Sequence, residues 1–427
     1  MRDILVLLIV FGSIPYILRH PYIGVLLWSW ISYMNPHRLT WGVARDFPFA
    51  YTVAIVLGIS ALLSKDRLRI PVTGLTVLWG LFLFWMCITT VFAIFPESAT
   101  VQLIKVLKIQ LVTIFTVMLM TSRKRIDLLI WIIVASIGFY GVKGGIFTLI
   151  VGGGARVWGP MGSFIQENNS LALALLMILP LINYLRIHTE NIWLKRALLL
   201  SMPIVALSVF GSQSRGALIG IAAMGLFLIL KSKQKFISLM LVLLIGVFAF
   251  TFMPQSWHER MSTIQEYEQD ASAMGRINAW KYSLNVANDR LTGAGFESWS
   301  FLTFAQYAPD PEAVHAAHSI YFGVLADHGW IGLVLWLAVL ITAWRSNSWI
   351  IRNARGKEDM EWAVDLARML QVSMVSYGSA GAFLSLAYFD LPWHIIAIII
   401  LVKEIVKRKV DEKSRVAVPT ETNQFAR

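Results

Sequence analysis

Blocks of about 20 apolar residues follow one another along most of the 427-residue chain. No other feature constrains the fold as strongly. A backbone in hydrocarbon must satisfy its own hydrogen bonds, so such blocks are expected to fold as membrane-spanning helices. Spans read near 4–19, 22–35, 47–64, 73–95, 101–120, 127–150, 168–187, 195–211, 214–231, 235–253, 318–344, 368–387 and 391–407. The first two are short, either a tight hairpin or one full crossing, so about 12 or 13 transmembrane helices are expected. Hydrophobic residues make up 57% of the chain and charged residues 15%, well below the roughly 25% charged of soluble domains. The expected class is an all-α polytopic membrane protein. The opening "MRDILVLLIVFGSIPYILRH" lacks a small-residue cleavage site and is expected to stay in the membrane.

Orientation follows from basic loops. "SKDRLR" (64–69), "SRKR" (122–125), "RIHTENIWLKR" (186–196), "KSKQK" (231–235), "RSNSWIIRNARGK" (345–357) and "KEIVKRK" (403–409) fall at alternate helix ends. These read as cytoplasmic, with a cytoplasmic C-terminus and a disordered tail "DEKSRVAVPTETNQFAR". The net charge of +12 is accounted for by such loops and does not call for nucleic acid. The chain divides into N-terminal helices over 1–253, one large outward segment over 254–317, C-terminal helices over 318–407 and a tail over 408–427. Within the outward segment Ile277, Trp280, Leu284 and Ala287 recur at helical spacing, which predicts an amphipathic helix at the outer membrane surface. Cys87, the single cysteine, lies in an apolar run and reads as a small buried side chain. There is no Walker motif, dinucleotide fingerprint or Gly-x-Ser-x-Gly elbow.

The chemistry gathers on the outward side. Arg215, in "GSQSRGALIG", opens a helix from that side, where free N–H groups favour anions. Arg276, in "GRINAW", and Arg156, in "GGGARVWGP", share the side; each also reads as a partner of lipid headgroups. Lys105 and Lys108 share one helical face, Lys108 roughly 12 Å into its helix at about 1.5 Å per residue. Lys143 is placed similarly, and for all three lysines snorkelling is the competing reading. His318, at the start of a span, is the expected general base. His315 and His328 are secondary candidates, and Glu167 and Glu297 are the best-placed carboxylates. No residues have metal-ligand spacing, so neither metal nor cofactor is expected. Cations with one histidine suit a lipid-linked diphosphate, whose leaving charge arginine can stabilise.

"SQSRGALIG", "GRINAW" followed by "GAGFESW", "GPMGSFIQENNSLALALLMILPL" and "HSIYFGVLADHGWIGLVLW" resemble motifs of the O-antigen ligase and O-antigen polymerase superfamily. "HPYIGVLLWSWISYMNPHRLTWG" resembles its subgroup of exosortase-associated O-glycosylation ligases. The resemblance implies a GT-C-type membrane glycosyltransferase of the bacterial inner membrane with one large periplasmic loop segment. It implies a glycan donor on undecaprenyl diphosphate and, in the ligase branch, transfer to a sugar hydroxyl of lipid A–core, metal-free and inverting. The family's diphosphate-binding arginines map onto Arg215 and Arg276 and its catalytic histidine onto His318; Arg156, Lys105 and Lys108 join them by position and charge alone. A polymerase or a protein O-glycosylation ligase would use the same donor. An anionic-lipid transporter is the reading from another class, against which stand the missing inverted repeat and the placing of the cations at one mouth.

Overall fold

The computed structural model describes residues 2–64, 68–231, 234–262 and 271–416. The middle of "SKDRLR", the centre of "KSKQK", part of the 254–317 segment and the tail after Val416 lie outside the described residues. The described residues contain helices and no strands. In chain order the helices are α1 Arg2–Arg19, α2 Tyr22–Met34, α3 Phe49–Leu63, α4 Gly74–Val91, α5 Pro96–Leu119, α6 Arg123–Val151, α7 Asn168–His188 and α8 Ile192–Gly211. They continue with α9 Arg215–Lys231, α10 Lys235–Phe252, α11 Gln255–Ser262, α12 Ala271–Asp289, α13 Phe301–Tyr307, α14 Ile320–Ala354, α15 Glu361–Ala380 and α16 Asp390–Val416. Helices α4, α5, α6, α7, α8 and α14 are long and apolar enough to cross a membrane, and α2 and α3 are shorter apolar helices.

Local chemistry sets the starts. Thr73 and Thr76 form a reciprocal capping box at α4, Ser122 caps α6, Asn191 caps α8 and Ser319 caps α14. Each oxygen satisfies amides that have no partner in the first turn. Short connections make sequential helices antiparallel neighbours. α1 and α2 form the tight hairpin, with the start of α1 held at the far end of the bundle by Asp3, which accepts the Gly42 and Ala44 N–H groups at 3.0 and 3.3 Å.

α7 is the axis of the bundle. Of its apolar window, 83% is buried inside the protein, against 28% for α8, so it reads as core all round where the others keep an outward face. It packs on α6, α8, α9 and α15. The α6–α8 contact depends on small residues: a Cβ at Gly145 would lie 2.0 Å from the Ile204 carbonyl oxygen, and one at Gly144 2.4 Å from Ser208 Oγ. Buried polar residues pair within the bundle. Tyr33 meets His394 Nδ1 at 2.6 Å, Ser32 donates to Asp390, and Trp79 Nε1 donates to Gln110 at 2.7 Å.

Three expectations change. "RSNSWIIRNA" is not a loop but the last turns of α14, which runs to Ala354. The first residues of the expected disordered tail continue α16 through Val416, where Arg408 pairs with Glu404 and Lys409 with Asp359, each at 2.9 Å. In α12 a buried face runs through Gly275, Ala279, Tyr282 and Val286 beside the expected stripe, of which Ala287 is buried, Trp280 stacks on Phe322, and Ile277 and Leu284 are half-buried. It closes a small core with Ala294, Phe304, Tyr307 and Ala326. The helix is therefore packed against α13 and α14, and its apolar residues divide between two contacts.

Gly145→Ala should lower stability by about 1–3 kcal/mol, because the added methyl must push α8 away, while Gly80→Ala, with open space around its Cα, should not. Thermal unfolding in one detergent compares the two; equal melting temperatures would contradict the close α6–α8 contact.

Candidate functional site at one mouth of the bundle

The starts of α7, α9 and α14 meet at the end of the bundle opposite the basic connections. Asn168 at the start of α7 donates to the Ser212 carbonyl at 2.7 Å, and the Val157 N–H reaches the Gly211 carbonyl at 3.1 Å. Gly216, next to Arg215, backs onto Phe383, whose Cβ would be 3.0 Å from a Cβ there. The Phe383 ring lies 6.1 Å from Trp280. Trp280 stacks on Phe322 at 4.9 Å with an interplanar angle of 10° and donates its indole N–H to the Ala317 carbonyl at 2.8 Å. Asn278 holds the same loop, donating to the Asp310 and Ala313 carbonyls at 2.7 and 3.1 Å. The segment entering α14 is thereby fastened to α12.

His318 sits on that fastened segment, between buried Ala317 and the buried cap Ser319. Its φ is +44°, a left-handed conformation that costs a non-glycine residue about 1 kcal/mol or more and persists where the surroundings impose it. Among the described residues four non-glycines have positive φ, Asn35, Gln213, Glu297 and His318; Gln213 and His318 lie at this mouth and Glu297 in the hollow beside it. Burial lowers the His318 pKa below the usual imidazole value, and the Arg276 cation lowers it further; Glu167 opposes the shift and His315 adds to it weakly. Arg276, Glu167 and His315 are thus near enough to His318 to act on its proton affinity. His315 lies against Gly275, where a Cβ would come 2.3 Å from its ring. Glu167, exposed, stands at the N-cap position of α7. A largely neutral imidazole beside a guanidinium can accept a proton near neutral pH.

A hollow of about 220 Å³ adjoins this segment, lined by Gln102, Glu297, Ser319, Asp327, Tyr388 and their neighbours. Asp327 accepts from the Tyr388 hydroxyl at 2.9 Å, while its Oδ1 is buried with no hydrogen-bond partner. Sequence reasoning passed over Asp327 and Gln213. The signal for Asp327 was present, since a carboxylate inside an apolar run is costly without a role.

Other expected residues lie elsewhere. His328 is fully buried against Phe296 and Phe82, with Nδ1 2.7 Å from Thr89 Oγ1. The cause is Gly329, whose φ of +64° kinks α14; the amides of Ala294 and Gly295 then bond the freed Ala326 and Asp327 carbonyls at 2.8 and 3.0 Å and cover the imidazole. Lys105 and Lys108 are exposed on α5, Lys108 standing 5.8 Å over the Tyr51 ring, an arrangement that suits snorkelling. Arg156 and Lys143 line a separate cavity.

Arg276→Gln should raise the His318 pKa and Glu167→Gln should lower it. Titration of the imidazole by NMR follows both; shifts that are absent or reversed would contradict the cluster.

Residues 198–337 match the O-antigen ligase family, a stretch that contains Arg215, Arg276, His315 and His318 and ends within α14. Residues 1–190 match a family of unknown function, DUF5935, and neither match bears on the subgroup that the N-terminal stretch resembles. No curated protein matches the chain. The chain thus carries an O-antigen ligase domain over residues 198–337, and its described residues are helical with six apolar helices of membrane-crossing length, which supports a glycosyltransferase-like membrane protein of the O-antigen ligase superfamily.

Proposed function

We propose that the chain is an inner-membrane O-antigen ligase that transfers a glycan from undecaprenyl diphosphate to a sugar hydroxyl of lipid A–core, inverting and without metal. One observation carries the proposal: His318, its pKa lowered, is held in a left-handed backbone conformation beside Arg276 at the mouth where α9 begins with Arg215. Basic connections at the opposite end make that end cytoplasmic by the positive-inside rule, so the site faces the periplasm.

In this reading His318 takes the proton of the acceptor hydroxyl. The oxygen attacks the anomeric carbon from the face opposite the diphosphate, the carbon–oxygen bond to the diphosphate breaks, and the electron pair leaves with undecaprenyl diphosphate. Arg215, Arg276 and the positive end of the α9 dipole balance that charge. The hollow with Glu297, Asp327 and Tyr388 offers acceptor groups suited to sugar hydroxyls. Arg156, Lys143 and the two lysines of α5 are not assigned to the diphosphate.

Purified protein is supplied with an undecaprenyl-diphosphate-linked glycan and EDTA, with lipid A–core in one tube and no acceptor in the other. Product is expected only with lipid A–core, reduced about 10²–10⁴-fold by His318→Ala. Lengthened donor glycans without the acceptor would instead identify a polymerase. Activity should rise with pH as His318 loses its proton and then level off; an unchanged His318→Ala rate would refute the base. Arg215→Lys should restore little of what Arg215→Ala loses, since the bidentate fork is gone.

A further inference from the structure

A second candidate site lies mainly within residues 1–190, which match the family of unknown function, and reaches onto α8 beyond them. The 36–45 connection and the 152–161 loop enclose a cavity of about 460 Å³ at the same end of the bundle. Arg2, Arg38, Arg45, Lys143 and Arg156 line it, and among the described residues no carboxylate does. Asp46 approaches Arg38 at 3.4 Å from outside the wall and is 85% exposed, which screens that pair heavily. Five cations around one cavity repel one another, a cost that an anion between them relieves.

Lys143 also lines a second, apolar groove of about 730 Å³ between α6 and α8, near its outer end. The groove follows α6 from Trp131 to Ile146, roughly 22 Å at about 1.5 Å per residue, longer than the about 15 Å of one leaflet's hydrocarbon. The two cavities thus share Lys143 as a lining residue, one apolar along the bundle and the other cationic at its mouth. Trp41, 84% exposed, and Trp158, 56% exposed, stand at the cationic cavity as aromatic residues do at a membrane interface.

We propose that this pair of cavities binds one anionic lipid, its phosphate among Arg38, Arg45 and Arg156 and its tail in the α6–α8 groove. The site does not depend on the transfer reading and is distinct from the mouth around His318. The loop 152–167 separates them: Arg156 faces the cavity, the Gly159 N–H bonds the Gln166 carbonyl at 2.9 Å, and the next residue, Glu167, is coupled to His318.

The test uses the delipidated full chain in neutral detergent with three probes: dioleoyl phosphatidic acid, dioleoylglycerol and inorganic phosphate. Native mass spectrometry and calorimetry read the binding. One phosphatidic acid is expected to bind, at least tenfold more tightly than dioleoylglycerol. The double variant Arg38→Gln/Arg45→Gln should weaken phosphatidic acid at least tenfold. Ala197→Trp, on the exposed groove wall, should weaken the lipid and leave inorganic phosphate unaffected. Equal affinity for the two lipids, or full affinity in the double variant, would overturn the headgroup site. Phosphatidic acid and inorganic phosphate binding alike, with no effect of Ala197→Trp, would show a free-phosphate site and overturn the lipid.

Discussion

Hydrocarbon does not solvate polar groups, and that constraint shapes the whole chain. Inside the bundle polar side chains appear in pairs, Tyr33 with His394, Trp79 with Gln110 and Thr89 with His328, because a buried group without a partner is costly. Arg215, Arg276 and His318 stand instead at the mouth, by the helix ends. There Ser319 Oγ takes the Tyr321 and Phe322 amides of α14 and Ser214 Oγ the Ala217 amide of α9, so the mouth is polar by construction.

The loops at the mouth are tied to the helices beside them. Trp280 and Asn278 of α12 fasten residues 310–317, and Ser319 caps the next helix. His318 between them has little freedom, which explains how a left-handed φ is maintained there. The same packing partly buries the imidazole and sets it beside Arg276, so orientation and proton affinity share one cause. Burial and the guanidinium outweigh Glu167, and the ring is held in its basic, neutral form.

Much of this was legible in sequence because it concerned residues out of place. Arg215 between apolar runs, Arg276 in an outward segment and His318 at a span start violate simple patterning, and each lies at the mouth. His328 has the same local look, but its fate depends on the Gly329 kink and on Gly293–Gly295, which belong to a different segment. The α12 stripe was read in part, with Ala287 buried and Trp280 stacked on Phe322, but the second face through Ala279 and Tyr282 shows only once the small core around Tyr282 and Phe304 forms. Arg2, Arg38 and Arg45 were unremarkable in sequence. They gain meaning when the 36–45 connection meets a loop more than 100 residues away, a contact that periodicity does not encode. The N-terminal and C-terminal parts then differ in chemistry: the first lines a cavity with cations, the second brings arginine close to a histidine.

A structure of the protein with a polyprenyl-diphosphate-linked donor bound tests the central claim most directly. The account predicts the diphosphate within hydrogen-bonding reach of Arg215 and Arg276, with the anomeric carbon facing the side from which His318 can deprotonate an acceptor. A diphosphate seated among Arg38, Arg45 and Arg156, with Arg215 and Arg276 making no contact to it, would contradict the assignment.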